Sequence, residues 1–148
     1  MFIHDGPRPA TGRPDGSWKF AGTTEAKAGV LEEMLAFLAG RGLVGGEDQF
    51  WCRLVLDEAL VNAVKHGNGY DPHKMVTAAC LVEADRWRVI IADEGRGFRL
   101  DAVPSLDNDD SLLMNHGRGV NLMLHYMDGV EYYEGGRVLV LEKKRRTV

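Results

Sequence analysis

The sequence predicts an α/β (α+β) protein, a two-layer sandwich in which a mixed, mostly antiparallel sheet carries its helices on one face. The first reason is the order of the patterns along the chain: strand, helix, helix, strand, strand, loop, helix, strand, strand. Because strands and helices do not alternate, a doubly wound parallel sheet is disfavoured. The second reason is the run from Val89 to Ala92, which is apolar at every position and therefore predicts a central strand covered on both faces.

The first sixteen residues differ in composition from the rest of the chain. Residues 1–16 contain three prolines and three glycines without an apolar period, which predicts a flexible N-terminal arm. The stretch SWKFAG, residues 17–22, alternates polar and apolar side chains and predicts an edge strand. Since a chain of 148 residues suits one domain, we expect a single domain over residues 17–148.

Two helices are predicted next. Residues 23–42 carry an apolar stripe at helical spacing, with Thr23 or Thr24 as the N-cap and Gly40 and Gly42 as the stop. A second helix is predicted over about residues 47–66, where glycines again follow the last periodic position.

Two antiparallel hairpins complete the predicted sheet. The runs KMVTAACLVEAD and RWRVIIADEG, residues 74–95, predict the first, and GVEYYEGGRVLVLEKK, residues 129–144, predicts the second with its turn at Gly135-Gly136. Between them lie a long aspartate-rich connection, residues 99–116, and an apolar helix opened by a glycine pair. A connection of that length in a small domain is typical of a lid or binding loop.

Charge and cysteine content exclude several classes of protein. The net charge of −4 and the pI near 5.7 argue against a nucleic-acid coat. Cys52 and Cys80 lack a CxxC or zinc-type spacing and stand among apolar residues, which predicts buried free thiols in a reducing compartment. The polar start does not resemble a signal peptide, and no apolar run approaches the roughly 20 residues of a membrane span.

Polar side chains recur at four-residue intervals in the predicted second helix, within LDEALVNAVKHGN. Glu58, Asn62 and His66 therefore lie along one gently drifting stripe. A carboxylate, an amide and an imidazole on one stripe indicate a site, while a polar surface stripe or capping near the helix end is the alternative.

A carboxylate also ends the predicted central strand, in IIADEGRGF. Asp93 would be costly at the end of a buried strand without a partner, and it can accept hydrogen bonds from an amine such as that of adenine. Gly95 and Gly97 would let the backbone approach a flat ring. A turn with a solvated aspartate is the alternative.

A glycine pair precedes the last predicted helix, in NHGRGVNLM. Gly117 and Gly119 stand at a helix start, whose free N–H groups and dipole favour phosphate, although a plain flexible loop would also carry them. The sequence has no GK[ST], so a Walker P-loop is excluded.

Together the three motifs resemble the GHKL, or Bergerat-fold, ATPase superfamily, from about residue 17 to the end of the chain. The N-box matches Glu58-x-x-x-Asn62-Ala63-x-x-His66-Gly67, the G1 box matches Asp93-x-Gly95-x-Gly97-Phe98, and the G2 box matches Gly117-Arg118-Gly119-Val120. The stretches DEALVNAVKHGN and GRGVNLMLHYMDGVEYYEGG look most similar to the bacterial anti-sigma-factor serine/threonine kinases.

The resemblance implies ATP and Mg²⁺ as cofactors and a role for each motif. Asn62 would hold the magnesium ion, Glu58 would act as general base, and Asp93 would bind the adenine amine. The remaining implied nucleotide contacts are Gly95, Gly97, Phe98, Gly117, Arg118, Gly119 and Val120, with a lid over residues 104–116. For His66, support of the following loop and contact with the phosphates both stay open.

The resemblance also implies partners. A kinase of this group would phosphorylate a serine of an anti-sigma-factor antagonist and hold a sigma factor in the cytoplasm, without direct contact to nucleic acid or membrane. Relatives often dimerise through the sheet or the first helix, so a homodimer is also implied. The last strand, RVLVLEKK, lacks the threonine that some members place near the nucleotide, which puts the details of phosphate contact in doubt. An ATP-gated switch that transfers phosphate slowly or never is the alternative function.

Overall fold

The computed structural model describes residues 2–95 and 118–145, and the side chains of residues 3–95 and 121–145. Its strands are β1 Phe2–Ile3, β2 Gly16–Ala21, β3 Met75–Val82, β4 Arg86–Asp93, β5 Gly129–Tyr133 and β6 Val138–Lys144. Its helices are α1 Thr24–Gly40, α2 Asp48–Val61 and α3 Arg118–Tyr126, with a π-helical turn at Asn62–Gly67 and a 3-10 turn at Glu134–Gly136.

The strands form one sheet in the order β1-β5-β6-β4-β3-β2. The contact between β1 and β5 is parallel, and the other four strand pairs are antiparallel. The predicted mixed, mostly antiparallel sheet is therefore confirmed, as are both hairpins and the edge position of β2. Gly135 and Gly136 have φ values of 70° and 95° in the turn between β5 and β6, a conformation that favours glycine.

The three helices lie on the same face of the sheet, as predicted. Buried side chains of α1, α2 and α3 join those on one face of the sheet in a single core, with Met34, Leu60, Trp87, Met123 and Leu141 among the most deeply buried. The α1–α2 contact also carries an ion pair, in which Lys27 Nζ lies 2.6 Å from Asp57 Oδ1. This arrangement is the predicted two-layer sandwich.

Local sequence signals place the ends of α1 as predicted. Thr23 is the N-cap, and its Oγ1 accepts a hydrogen bond of 3.2 Å from the Ala26 N–H. Glu25 lies in the first turn, where a negative charge favours the helix dipole. The helix ends at Gly40, the first of the two predicted stop residues.

The second helix differs from the prediction in its last turn. Helical structure extends to Gly67 as expected, but residues 62–67 form a π-helical turn in which the Asn68 N–H donates to the Ala63 carbonyl at 2.9 Å. A π turn is rare and frequently marks a functional site.

Strand β4 lies between β3 and β6, and Val89 to Ala92 are all buried, which confirms the predicted central strand. Val89 and Ile91 face the helices, whereas Ile90 and Ala92 pack with Leu81, Val138 and Val140 on the opposite face. The apolar run is thus explained by a core on one side of the sheet and a smaller apolar cluster on the other.

The N-terminal arm has more structure than its composition predicts. Phe2 and Ile3 pair with Glu131 and Tyr132, so this short strand was missed by the prediction. The following segment connects the two edges of the sheet: the Glu134 N–H donates to the Gly6 carbonyl, and the Val82 N–H donates to Asp15 Oδ2 at 2.8 Å. Apart from the Asp15 side chain, these contacts are made by backbone groups, for which a Pro/Gly-rich sequence gives no pattern. The division at residue 16 stays a prediction.

The two cysteines are free and buried, as predicted. Cys52 lies on α2 and Cys80 on β3, both in the core between helices and sheet. Burial raises the pKa of each thiol to about 12, so neither is ionised near neutral pH.

Candidate functional site

A cleft opens between the last turns of the α2 segment and the end of β4. Its empty volume is about 370 Å³, including space open to solvent. One wall consists of Asn62, His66 and Gly67 from the π-helical turn, together with Ala59 and Ala63. The other wall comes from the sheet and its turns: Ile91, Asp93, Tyr132, Gly136, Arg137 and Leu139. Two of the three sequence motifs therefore meet at one place.

The structure brings two residues of the predicted polar stripe to this cleft. Asn62 and His66 line it, whereas Glu58 is partly buried and is absent from the lining among the residues that are described. Glu58 lies one turn before Asn62, and the next residue, Ala59, does line the cleft, so the backbone of Glu58 is close to the described wall. The general-base role of Glu58 and the ligand roles of Asn62 and His66 stay predictions.

Asp93 occupies the last position of β4 with its carboxylate toward the helix. Burial raises its pKa to about 6, and a hydrogen bond of 2.8 Å from the Gly95 N–H to Oδ1 opposes that shift, as do the charges of Arg137 and Lys74. Near neutral pH the carboxylate is mostly ionised and can accept a hydrogen bond from an amine. A carboxylate held at this cost in a cleft is typical of a binding or catalytic site.

Two glycines allow the helix and the strand end to touch. A Cβ atom on Gly67 would lie 2.3 Å from Asp93 Cγ, and one on Gly95 would lie 1.8 Å from the Gly67 carbonyl oxygen. A side chain on Gly95 would displace the backbone of Gly67, whereas one on Gly67 would displace the Asp93 carboxylate. Gly95 is thus required for the contact with Gly67, a reason that the sequence motif does not supply; the expectation that Gly95 admits an adenine ring stays a prediction.

Sequence reasoning missed the residues that β5, β6 and their turn contribute. Tyr132 faces the cleft from β5, and burial together with the charge of Asp93 raises its pKa to about 12. Arg137 lies beside Asp93, and its carbonyl oxygen accepts from the Asp93 N–H at 2.9 Å. The GGR sequence of the turn was a signal only for a hairpin, because sequence spacing does not show that this turn lies beside β4.

The remaining predicted site residues lie outside what the structure describes. Gly97, Phe98, Gly117 and the predicted lid over residues 104–116 belong to that part of the chain. Residues 118–120 begin α3, as the predicted third motif requires, but their side chains are not described. The phosphate contacts expected from Arg118, Gly119 and Val120 therefore stay predictions.

The donor atoms in the cleft fit a magnesium ion only if the nucleotide supplies most of its ligands. Within residues 2–95 and 118–145, no group of three His, Cys, Asp or Glu residues could hold a metal ion by itself. The amide oxygen of Asn62 is a hard ligand that suits Mg²⁺, which usually keeps several waters and binds substrate phosphates. The cleft is thus chemically compatible with an ion that is brought in with nucleotide.

The fold and the cleft define a class: an α/β sandwich with a mixed, mostly antiparallel sheet and a helix–strand cleft lined by an amide and a carboxylate. The family model described as "Histidine kinase-like ATPase domain" matches residues 20–143, and the chain belongs to this family. Membership implies a site for ATP. The predicted resemblance to GHKL ATPases is confirmed.

Two relatives with known names make the resemblance more specific within the family. The chain is 31% identical over 81 residues to an anti-sigma F factor of Oceanobacillus iheyensis, a match that covers 53% of this chain and 56% of that protein. It is 30% identical over 83 residues to an anti-sigma F factor of Anoxybacillus flavithermus, which covers 55% of this chain and 57% of the relative. The chain thus spans a little over half the length of these relatives. None of the helices in the described part of the chain is long and apolar enough to cross a membrane.

Proposed function

We propose that the protein is an ATP-binding anti-sigma regulatory factor that acts as a serine/threonine protein kinase on an anti-sigma-factor antagonist. The observation that carries the proposal is that Asn62 and Asp93, from two separate motifs, line the same cleft from opposite walls. Support also comes from the family match and from the similarity to two anti-sigma F factors.

The chemistry of the two walls suits an adenine nucleotide. The ionised Asp93 carboxylate accepts hydrogen bonds, and the exocyclic amine of adenine donates them. Asn62, on the facing wall, offers an amide oxygen to a magnesium ion that also binds the phosphates. Base and phosphates would thus be held by different elements, which fixes the direction of the nucleotide in the cleft.

Transfer of the terminal phosphoryl group depends on positioning and charge neutralisation more than on covalent chemistry. In the proposed reaction Glu58 orients the attacking serine hydroxyl of the antagonist and accepts its proton. The product carries about −1.5 to −2 additional charge, which breaks a docking interface by repulsion and desolvation. Release of the antagonist would leave this protein free to hold its sigma factor. We expect this cycle to operate in the cytoplasm.

The binding step is tested by calorimetry with ATP in the presence and absence of Mg²⁺. We expect Asn62→Ala to lose the magnesium-dependent part of the ATP affinity, because no other asparagine or glutamine side chain lines the described part of the cleft. Gln49→Ala is the matched control, since it removes an amide that is exposed at the other end of α2. Equal affinities of the wild type and Asn62→Ala for magnesium-ATP would contradict the metal role.

The transfer step is tested with labelled ATP and candidate antagonist proteins. We expect label on a partner serine with the wild type and none with Glu58→Ala. Glu33→Ala, which removes an exposed glutamate of α1, should transfer label as the wild type does. Transfer that persists in Glu58→Ala would remove Glu58 as the base.

One observation favours a second function, an ATP-gated switch with little or no phosphotransfer. Glu58 is not among the described residues that line the cleft, whereas a general base must come within hydrogen-bond reach of the attacking hydroxyl. Tight binding of ATP without label on any candidate partner would support the switch over the kinase.

A further inference from the structure

A buried amide follows the cleft-lining residue Gly67 in the chain. Asn68 is 2% exposed and is the one fully buried polar residue in the part of the chain that the structure describes. Its Oδ1 accepts a hydrogen bond of 2.8 Å from the Glu94 N–H, and its Nδ2 donates one of 3.1 Å to the Met75 carbonyl. A buried amide bonded at both ends is strongly constrained in position, since a buried polar group that loses its partner is costly.

The position of this amide in the chain relates it to the candidate site. Asn68 follows Gly67, the glycine that touches the Asp93 carboxylate, and Glu94 stands between Asp93 and Gly95. The hydrogen bond between Asn68 and Glu94 therefore joins the residue after the π-helical turn to the residue after β4. Both residues are next in sequence to the two glycines whose backbones meet, since Asn68 follows Gly67 and Glu94 precedes Gly95.

The same junction also holds the start of β3. Glu94 Oε1 accepts a hydrogen bond from the Met75 N–H, while Asn68 binds the Met75 carbonyl. The first residue of β3 is thus bonded through both of its backbone groups. A Cβ atom on Gly22 would lie 3.3 Å from Asn68 Nδ2, so the amide is also closely surrounded on the side of β2. The Asn68 side chain therefore joins three segments: the residue after the π-helical turn, the residue after β4 and the first residue of β3.

Few side chains meet the demands of this position. The Glu94 N–H needs an acceptor and the Met75 carbonyl needs a donor, which assigns the orientation of the Asn68 amide. Aspartate would place a negative charge against the carbonyl oxygen, and an aliphatic side chain would satisfy neither group. A serine or threonine hydroxyl is too short to reach both.

We propose that Asn68 is a positioning residue that holds Asp93 at a fixed distance from the π-helical turn and thereby sets the preference of the cleft for adenine over guanine. This inference rests on the proposed ATP site. Asn68 does not line the described cleft and therefore acts through Asp93. Adenine presents an amine where guanine presents a carbonyl, so a well-placed carboxylate attracts one base and repels the other. Because hydrogen bonds weaken steeply with distance and angle, displacement of Asp93 reduces this discrimination.

The test is the ratio of ATP affinity to GTP affinity in the wild type, Asn68→Ser and Asn68→Thr, measured by calorimetry. We expect the ratio to fall roughly 5- to 10-fold in both variants, the loss expected when one hydrogen bond to a ligand is misplaced. A purely structural defect would not change the ratio, because a lower folded fraction reduces both affinities equally. Gln49→Ser, at an exposed position of α2, should keep the wild-type ratio. Two neutral variants are used so that poor folding of one does not decide the result.

A second measurement separates this inference from the proposed function. Carbon-13 NMR of the Asp93 carboxyl group should give a pKa of about 6 in the wild type and a lower pKa in the Asn68 variants, because the loosened junction admits water. The other groups that face Asp93, which are Arg137, Lys74 and Tyr132, are unchanged by the substitution.

The outcomes are distinct. Folded Asn68 variants that keep both the wild-type nucleotide ratio and the wild-type Asp93 pKa would overturn the role of Asn68, whether or not the protein binds ATP. A wild type that binds neither nucleotide would overturn the proposed function, and a lowered Asp93 pKa in the variants would then still support the positioning role. A wild type that prefers ATP, with variants that prefer it equally, would overturn the link between Asn68 and base selection.

Discussion

Carboxylates near the two ends of strand β4 have pKa values that are shifted in opposite directions. At its start, Arg86 Nε lies 2.8 Å from Glu83 Oε2, Arg86 Nη1 lies 2.6 Å from Glu142 Oε1, and Arg88 also pairs with Glu83. Hydrogen bonds from Arg86 and Arg88 lower the pKa of Glu83. At the other end burial raises the pKa of Asp93 to about 6, although Arg137 and Lys74 oppose the shift.

This difference distinguishes carboxylates that are paired near the surface from a carboxylate that is held partly buried in the candidate site. The cluster at the start of β4 meets solvent, where each ion pair contributes little to stability but satisfies the charges that it contains. The Asp93 carboxylate is held where burial disfavours its charge, and such a cost persists mainly where the charge is needed for binding or chemistry. The cleft end of the strand is therefore the end that should respond to nucleotide, to pH and to small changes of packing.

The largest change in stability is expected from Gly95→Ala, which adds a single methyl group at the cleft end of β4. In Gly95→Ala the new Cβ would lie 1.8 Å from the Gly67 carbonyl oxygen, a backbone atom that cannot move without displacing the π-helical turn. We expect a loss of about 3 kcal/mol or more in the free energy of unfolding, together with loss of ATP binding. Urea denaturation followed by circular dichroism measures the first quantity, and calorimetry the second.

The matched control is a glycine-to-alanine substitution at a position where the added Cβ atom meets no other atom. Gly29 lies on the exposed side of α1, and a Cβ atom there would meet nothing within 4 Å. Gly29→Ala should therefore stabilise the protein by about 0.5–1 kcal/mol through helix propensity. If Gly95→Ala proved as harmless as Gly29→Ala, the close contact of Gly67 with Gly95 would be wrong.

A smaller change in the free energy of unfolding, an increase rather than a loss, is expected from Asp93→Asn at neutral pH. Because the pKa of Asp93 is higher in the folded protein than in the unfolded chain, the folded state holds this proton more tightly, and stability is lost as pH rises from about 4 to about 6. Above that range the penalty is constant. We expect Asp93→Asn to be about 1–2 kcal/mol more stable than the wild type at pH 7.5, a value reduced for the partial access of water to the carboxylate. Base discrimination should nevertheless be weaker in the variant.

The measurement is urea denaturation of both proteins at pH 4.5 and pH 7.5. The advantage of Asp93→Asn should shrink at the lower pH, where Asp93 is largely protonated in the folded protein. A difference that is the same at both pH values would show that Asp93 titrates normally. A wild type that binds ATP and GTP equally would contradict the adenine role of Asp93 on separate grounds.

Most of the fold could be predicted because its signals are local. The Thr23 cap, the all-apolar run of β4 and the Gly135-Gly136 turn each act through neighbouring residues, and each was found where the sequence indicates it. The strand at Phe2–Ile3 was missed because backbone pairing with β5 leaves no side-chain pattern in two residues. The π-helical turn was missed because the apolar period and the following glycines indicate where a helix ends but not which carbonyl each N–H binds.

The motif residues of the candidate site could be predicted from the sequence, but the residues that surround them could not. Asn62, His66 and Asp93 stand in recognisable patterns, and the structure brings them to one cleft. Tyr132 and Arg137 join them only because β5 and β6 lie beside β4, information that sequence spacing does not contain. Asn68 follows a recognised motif without belonging to it, and its role becomes visible only from its bonds to Glu94 and Met75.

The smallest effect is expected from Glu83→Gln, which makes the same change from carboxylate to amide at the other end of β4. It removes the ion pairs of Glu83 with Arg86 and Arg88, but Arg86 keeps its pair with Glu142, and the glutamine amide oxygen can still accept a hydrogen bond from Arg88. We expect no measurable change in the urea midpoint at pH 7.5, in its dependence on pH between 4.5 and 7.5, or in the affinity for ATP. If Glu83→Gln changed stability as much as Asp93→Asn, the two ends of the strand would not differ in the way described, and the raised pKa of Asp93 would lose its value as a sign of function.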